Sequence, residues 1–169
     1  FENIEHLIRQ DFTFRHTADL ESQKVACIIA NTNSVSLHIR RGDYVSNLTT
    51  YQCHGVCSLE YYQTAVQRLT QTVKRPHFFV FSDDIEWARQ NLRLDYPVTF
   101  MTHKGVEKDY EDLRLMSLCK HHIIANSSFS WWGAWLSKQS GIVIVPRRWF
   151  SEGNEFKNKG RWPDDWIPI

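Results

Sequence analysis

The densest chemistry in this sequence lies in His38-Ile39-Arg40-Arg41-Gly42-Asp43-Tyr44, where an imidazole, two guanidiniums and a carboxylate crowd around a glycine. Adjacent arginines suit a diphosphate, because each guanidinium stays charged and offers a planar fork of donors to phosphate oxygens. Gly42 permits a sharp turn or the close approach of a ligand. The competing reading is that Arg40 or Arg41 pairs with Asp43 and pins a loop. Phe81-Ser82-Asp83-Asp84 is a second candidate. A carboxylate there can accept from a nucleobase amine or ribose hydroxyls, hold a metal, or cap a helix. The third is Asn126-Ser127-Ser128-Phe129-Ser130-Trp131-Trp132-Gly133. At a helix start, serine hydroxyls, free N–H groups and the helix dipole favour phosphate; the tryptophans read as core. Together these residues describe a nucleotide-diphosphate site built from Arg, Ser and backbone, with no obligatory metal.

Other chemistries lack their residues. Gly-x-Ser-x-Gly, Gly-x-Gly-x-x-Gly, the Walker loop and His-Glu-x-x-His are all absent. Asp109 and Asp112 read as carboxylates that complement a helix dipole. Cys53 and Cys57 flank His54 at a spacing zinc could use, but no second ligand pair matches it, so they read as loop cysteines. Cys27 and Cys119 fall in apolar helical patterns and read as buried free thiols; four cysteines in 169 residues are too few for a disulfide scaffold. A net charge of +1 argues against a broad nucleic-acid face. No apolar run approaches the ~20 residues of a spanning helix. With 42% hydrophobic and 23% charged residues, the chain has the composition of a globular domain rather than a disordered one.

These residues need a scaffold that gathers them. Ile4, Leu7, Ile8 and Phe12 recur at helical spacing, and Asp19 caps a second helix that stops near Asn31 to Asn33. Val35 to Arg40 is a strand with Val35, Leu37 and Ile39 on one face and Ser36, His38 and Arg40 on the other. Residues 41–57 read as loop. Ser58 caps a helix running to about Lys74, before Pro76. Strands at His77–Phe81, Val98–Met101, His122–Ala125 and Ile142–Val145 then alternate with helices opened by Asp83 or Asp84, by about Lys108, and by Ser127 or Ser128. Alternation of this kind predicts an α/β fold: an open, parallel, Rossmann-like sheet with helices on both faces. Such sheets bind ligands beyond the C-terminal ends of their strands, which points to residues 38–45, 82–84, 102–109 and 126–130.

The blocks His38 to Val45, Phe81 to Asp84, Asp112-Leu113-x-Leu115-Met116, Asn126 to Leu136 and Pro146-x-x-Trp149 resemble, in order and spacing, those of the α1,2-fucosyltransferases, glycosyltransferase family 11, and most of all its bacterial members. The resemblance is dense over residues 35–150. It implies transfer of L-fucose from GDP-fucose to the 2-hydroxyl of a terminal β-galactoside, with inversion and without metal or other cofactor. It also implies a GT-B arrangement of two Rossmann-like domains, the C-terminal one holding the donor. Carried over by position, Arg40 and Arg41 grip the GDP phosphates, and His38 and the Ser82–Asp83 turn lie near guanine or ribose. Asn126, Ser127 and Ser128 lie at the donor, the two serines donating to the β-phosphate. Asp43 is either the catalytic base or an anchor for Arg40 and Arg41.

The family's Gly-Gly-x-Gly-Asn-Gln-x-Phe segment has no counterpart here, so the chain resembles the donor-binding, C-terminal part of such an enzyme. The expected organisation is two helices over 1–33, a GDP-fucose-binding domain over 34–150 and an aromatic tail over 151–169 packing on it. Expected partners are GDP-fucose and a galactoside acceptor, with no nucleic acid. A bacterial protein of this kind would be cytoplasmic, with peripheral membrane association left open; a eukaryotic one would lie in the Golgi lumen. Two other readings remain: a non-catalytic nucleotide-binding module, and a metal-dependent phosphate-handling enzyme using Asp83 and Asp84.

Overall fold

A computed structural model describes residues 2–102, 109–151 and 160–169. A 3-10 turn at Glu2–Ile4 leads into α1 (Glu5–Asp11), then α2 (Leu20–Ala30), whose first turn Asp19 caps through Ser22 N–H. The central strand β1 (Asn33–Ile39) follows. Two short helices, α3 (Gly42–Ser46) and α4 (Leu48–His54), occupy a stretch the sequence had marked as loop; Asn47 caps α4 by accepting from Thr50 N–H. Each is too short for hydrophobic periodicity to reveal. Next come α5 (Leu59–Thr70), capped by Ser58, β2 (Pro76–Ser82), α6 (Ile85–Asn91), capped by Asp84, and β3 (Val98–Phe100). The chain continues through α7 (Asp109–Leu118), β4 (His121–Ile123), α8 (Ser128–Trp135), β5 (Val143–Val145) and β6 (Ile167–Pro168). The expected start of α7 near Lys108 lies outside the described residues.

The sheet has six strands in the order β3-β2-β1-β4-β5-β6, every pair parallel. This is the expected α/β Rossmann-like sheet with one strand more. At two residues, β6 is below the length at which alternation is visible; its backbone pairs Ile167 with Ile144 and Pro168 with Val145.

Burial on both faces explains why the strands are apolar throughout. Val35, Leu37, Ile39, Phe78 and Val80 pack with Tyr62, Leu69 and Ala88 of α5 and α6. Phe79 and Phe81 point the other way, onto Ile29 of α2 and Leu115 and Met116 of α7. On that second face β1 carries Ser34, Ser36 and His38, all buried. The two serines are satisfied locally: Ser34 Oγ accepts from Lys120 N–H at 3.1 Å, and Ser36 Oγ lies 2.8 Å from His122 Nδ1.

Two sequence expectations change. Cys119 is buried, but Cys27 is exposed, because it lies on the outer face of α2 while Ile29 turns inward. Trp131, Trp132 and Trp135 are half-buried rather than core. Small residues take the inner side of α8: Gly133 lies so close to α7 that a Cβ there would come within 2.9 Å of Met116. The indoles instead stack among themselves and against Trp166, and are roofed by the N-terminal segment, with Phe12 on Trp132 at 4.5 Å and Arg9 over Trp135 at 4.2 Å.

Gly141 shows how tightly β4 and β5 are joined. A Cβ on it would collide with the Lys120 backbone carbonyl, which no side-chain rotation relieves. Gly141→Ala is therefore expected to cost at least about 1–3 kcal/mol, lowering the melting temperature by several degrees. Ser140→Ala, one exposed residue earlier, should leave the melting temperature unchanged.

Candidate functional site

In an open sheet the ligand crevice forms where chain connections leave in opposite directions. Here that point lies between β1 and β4, since β2 and β3 follow β1 outward on one side and β5 and β6 follow β4 on the other. Two cavities open at this edge. The smaller, about 130 Å³, is lined by His38 and Arg40 from the end of β1, Ser82 and Asp83 from the end of β2, Asp109 and Asp112 from α7, and Phe129 from α8. The larger, about 580 Å³, lies on the β4–β5 side and includes Asn126.

Asp83 organises the first cavity. Its Oδ1 accepts from Arg41 N–H at 2.8 Å, and its Oδ2 lies 3.1 Å from Arg40 Nη1. That carboxylate presses against the backbone: a Cβ at residue 42 would sit 2.5 Å from Asp83 Oδ2, so a side chain there would push the carboxylate away from its two arginine partners. Arg40 also holds Asp43, Nη2 to Oδ1 at 2.6 Å, and its guanidinium lies 5.3 Å from the Tyr44 ring centre. Asp43 thus occurs as an anchor of Arg40. Both ion pairs are partly exposed. Pairs of that kind contribute only about 0–1 kcal/mol, so a phosphate can take over the guanidinium at little cost.

The two arginines part company. Arg41 turns toward α6, with Nε 3.2 Å from Asp84 Oδ2 and its guanidinium stacked 3.7 Å from the centre of the Trp87 ring. It lines neither cavity. Asp84 also caps α6 through Trp87 N–H. Both carboxylates of the Asp83–Asp84 pair are therefore committed to protein partners.

His38 is 4% exposed and lies against Phe129 at 5.7 Å, and its Nδ1 has no hydrogen-bond partner among the described residues. Burial, reinforced by the Arg40 charge, lowers its pKa from 6.5 to about 3. It is therefore neutral near pH 7 and can donate or accept one hydrogen bond to an uncharged group.

The loop after β4 carries the remaining sequence candidates. Ser127 stands at the N-cap of α8 without a side-chain cap bond, and Ser128, exposed, begins the helix. N–H groups of this first turn have no helical acceptors. Asn126, assigned to the donor by sequence, instead spends its amide on protein. Cys57 Sγ donates to its Oδ1 at 3.4 Å, and its Nδ2 donates to the carbonyls of His54 and Trp149 at 2.9 and 3.3 Å. It positions the loop, and Tyr44 reinforces it by donating its hydroxyl to Asn126 O at 3.3 Å. Among the described residues, no group of three His, Cys, Asp or Glu is arranged to hold a metal, the Cys53–His54–Cys57 segment included. Asp109 and Asp112 are the lining residues whose place the sequence reading missed. Their signal was position, at the start of the helix that follows the third strand, where the crevice rule already pointed.

A family model described as Glycosyl transferase family 11 matches residues 3–169. Over 156 residues the chain is 43% identical to an alpha-1,2-colitosyltransferase of Escherichia coli, covering 89% of this chain and 52% of that protein. It is 41% identical over 150 residues to the O-antigen biosynthesis glycosyltransferase WbnK of Escherichia coli, covering 87% and 47%. It is 27% identical over 151 residues to galactoside alpha-(1,2)-fucosyltransferase 2 of Hylobates lar, covering 86% and 44%. The chain spans about half the length of these relatives.

Burial of neutral histidines gives a pH test. His122, buried beside His121, is also lowered from 6.5 to about 3. Between these values the unfolded chain binds protons that the folded chain refuses. The stability contribution is complete above pH 6.5 and is lost as pH falls toward 3. Melting temperature should decline from pH 7 to pH 4, with a free-energy slope of up to about 1.4 kcal/mol per pH unit for each histidine. A His122→Gln variant should show a shallower decline; an identical slope would remove His122 from the account.

Proposed function

Because the chain belongs to glycosyl transferase family 11, we propose that it holds the nucleotide of a sugar donor at the C-terminal ends of β1, β2 and β4, as the donor-binding part of an inverting α1,2-glycosyltransferase. The donor is a guanosine diphosphate sugar. The sugar is L-fucose or its 3-deoxy counterpart colitose, and the acceptor is the 2-hydroxyl of a terminal β-galactoside. The relatives divide on this point, two in Escherichia coli being named for colitosyl transfer or O-antigen synthesis and the third for fucosyl transfer.

The observation that carries the reading is Arg40. Its guanidinium stands at the end of the central strand, in a cavity shared with His38, Asp83 and Asp112. In this reading the carboxylates of Asp109 and Asp112 and the neutral His38 face the base and ribose, where ring N–H, amine and hydroxyl groups need acceptors. The diphosphate extends from Arg40 toward Ser127, Ser128 and the first turn of α8. Breaking the sugar–phosphate bond leaves positive charge on the sugar ring and negative charge on the departing diphosphate. A fixed cation and oriented N–H groups stabilise that separated state more than the bound donor, and so lower the barrier. Arg40 supplies this charge without a metal; Asp83, already bonded to Arg40 and to Arg41 N–H, acts as its brace. Asp43 serves through Arg40, and Arg41 by pinning the turn to α6.

Calorimetry tests the reading. GDP should bind about tenfold to a hundredfold more tightly than GMP, the worth of one charge-assisted contact of about 1.5–3 kcal/mol, and EDTA should not change its affinity. Arg40→Ala should abolish the difference between the two nucleotides without unfolding the chain. Equal affinities in the wild type would remove the diphosphate role.

Fucose and colitose differ by one hydroxyl. A site that hydrogen-bonds that hydroxyl rejects the sugar lacking it by about 10⁴–10⁵, whereas an apolar site discriminates far less. Relative transfer rates from the two GDP-sugars by the longest available form of the protein will therefore decide the donor. A rate ratio near one would mean that neither sugar's 3-position is read.

A further inference from the structure

Arg40 and the first turn of α8 must reach one diphosphate together, yet they belong to opposite walls of the crevice. Arg40 follows β1, whereas Ser127 and Ser128 follow β4. Tyr44, from α3, touches both walls. The Arg40 guanidinium carbon lies over its ring, 5.3 Å from the centre. Its hydroxyl donates to Asn126 O at 3.3 Å, one residue before the Ser127 N-cap of α8. Burial raises the hydroxyl's pKa above its ordinary value of 10, the Arg40 charge opposing this only in part, so near pH 7 the group keeps its proton and donates.

Both ends of this bridge are themselves held. His54 stacks on the Tyr44 ring at 4.9 Å with 17° between the planes, and meets Phe150 at 5.2 Å. Asn126 is fastened through Nδ2 to the carbonyls of His54 and Trp149, so the carbonyl that receives the Tyr44 hydroxyl stands in a fixed loop.

The kind of contact matters as much as its place. Arg40 Nη2 donates to Asp43, and Nη1 pairs with Asp83. A phosphate takes N–H groups of the same guanidinium, so it competes with one or both carboxylates. A ring face attracts the cation as a whole and needs no particular N–H. The Tyr44 contact can therefore persist while the in-plane partners are exchanged. At the other end the hydroxyl binds a carbonyl, which has no attraction for an anion. Neither contact competes with the ligand, and both constrain where its donors stand. Hydrogen bonds weaken steeply with misalignment, so the separation of the two walls governs whether one diphosphate satisfies both.

We infer that Tyr44 is a positioning residue for the diphosphate: its ring aims Arg40 and its hydroxyl sets the loop that opens α8, so that both walls meet one ligand. The inference rests on the donor reading and names a residue through which that site discriminates GDP from GMP.

Calorimetry with GDP and GMP on the wild type, Tyr44→Phe and Tyr44→Leu tests this, well below each melting temperature. Tyr44→Phe removes the bond to Asn126 and keeps the ring. It should lower GDP affinity about two- to tenfold, the worth of one neutral hydrogen bond, and leave GMP affinity unchanged. Tyr44→Leu should lower GDP affinity further. That further loss should vanish in the Arg40→Ala background, because the ring acts through Arg40. A second readout is the NMR signal of the Arg40 Nε–H, which the ring current should displace upfield. The displacement should persist with GDP bound and in Tyr44→Phe, and disappear in Tyr44→Leu. GDP and GMP affinities that fall by the same factor in Tyr44→Phe, or that do not fall, overturn the inference. So does a displacement that GDP abolishes. Should Tyr44→Leu fail to fold, Tyr44→Phe and the wild-type signal decide. A wild type that binds GDP and GMP equally overturns the donor reading itself, and the positioning role with it.

Discussion

Because β1 is hydrogen-bonded to β2 on one side and to β4 on the other, the chain leaves its central strand outward in one direction and returns to leave in the other. The connections above β1 and β4 must then diverge, and the gap between them lets a ligand reach the ends of the two central strands together. His38, Arg40, Asn126 and Ser127 are functional candidates because they occupy that gap. Both cavities follow from the same divergence, one on each side of the Tyr44–His54 stack.

The divergence leaves polar groups under cover. Ser34, Ser36, His38 and His122 lie buried between the sheet and the α7–α8 layer, where an unpaired polar group costs about 1–3 kcal/mol. Ser36 and His122 meet this by pairing across β1 and β4, and Ser34 by accepting from the backbone of Lys120. His38 keeps an unpaired Nδ1. His122 Nε2 also lacks a partner among the described residues, but His38 stands at the strand end that opens into the smaller cavity, where a ligand can supply the missing bond.

Charge is handled by sharing. Arg40 touches two carboxylates, and Asp83 touches both Arg40 and the Arg41 N–H, with Gly42 giving the carboxylate room. The guanidinium is thereby aimed before any phosphate arrives, yet the pairs that aim it are exposed and individually weak. Preorganisation without strong retention suits a residue that must exchange a carboxylate for a phosphate.

Periodicity along the chain was enough to predict a parallel α/β sheet, five of its strands, the caps Asp19 and Ser58, and a cap at either Asp83 or Asp84, because these depend on local alternation and on side-chain to backbone bonds a few residues apart. The motif blocks were enough to place His38, Arg40, Ser82 and Asp83 at one edge and to indicate the family. Local pattern could not show α3, α4 or β6, which are too short to have a period, nor that Cys27 faces outward. It could not separate Arg40 from Arg41, neighbours in sequence whose guanidiniums go to different partners because Asp84 and Trp87 capture one of them. Nor could it show that Asn126 is spent on Cys57, His54 and Trp149, or that Asp109 and Asp112 line the cavity of His38. Those outcomes depend on contacts between residues dozens of positions apart, and such contacts exist only once the sheet has set the strand order.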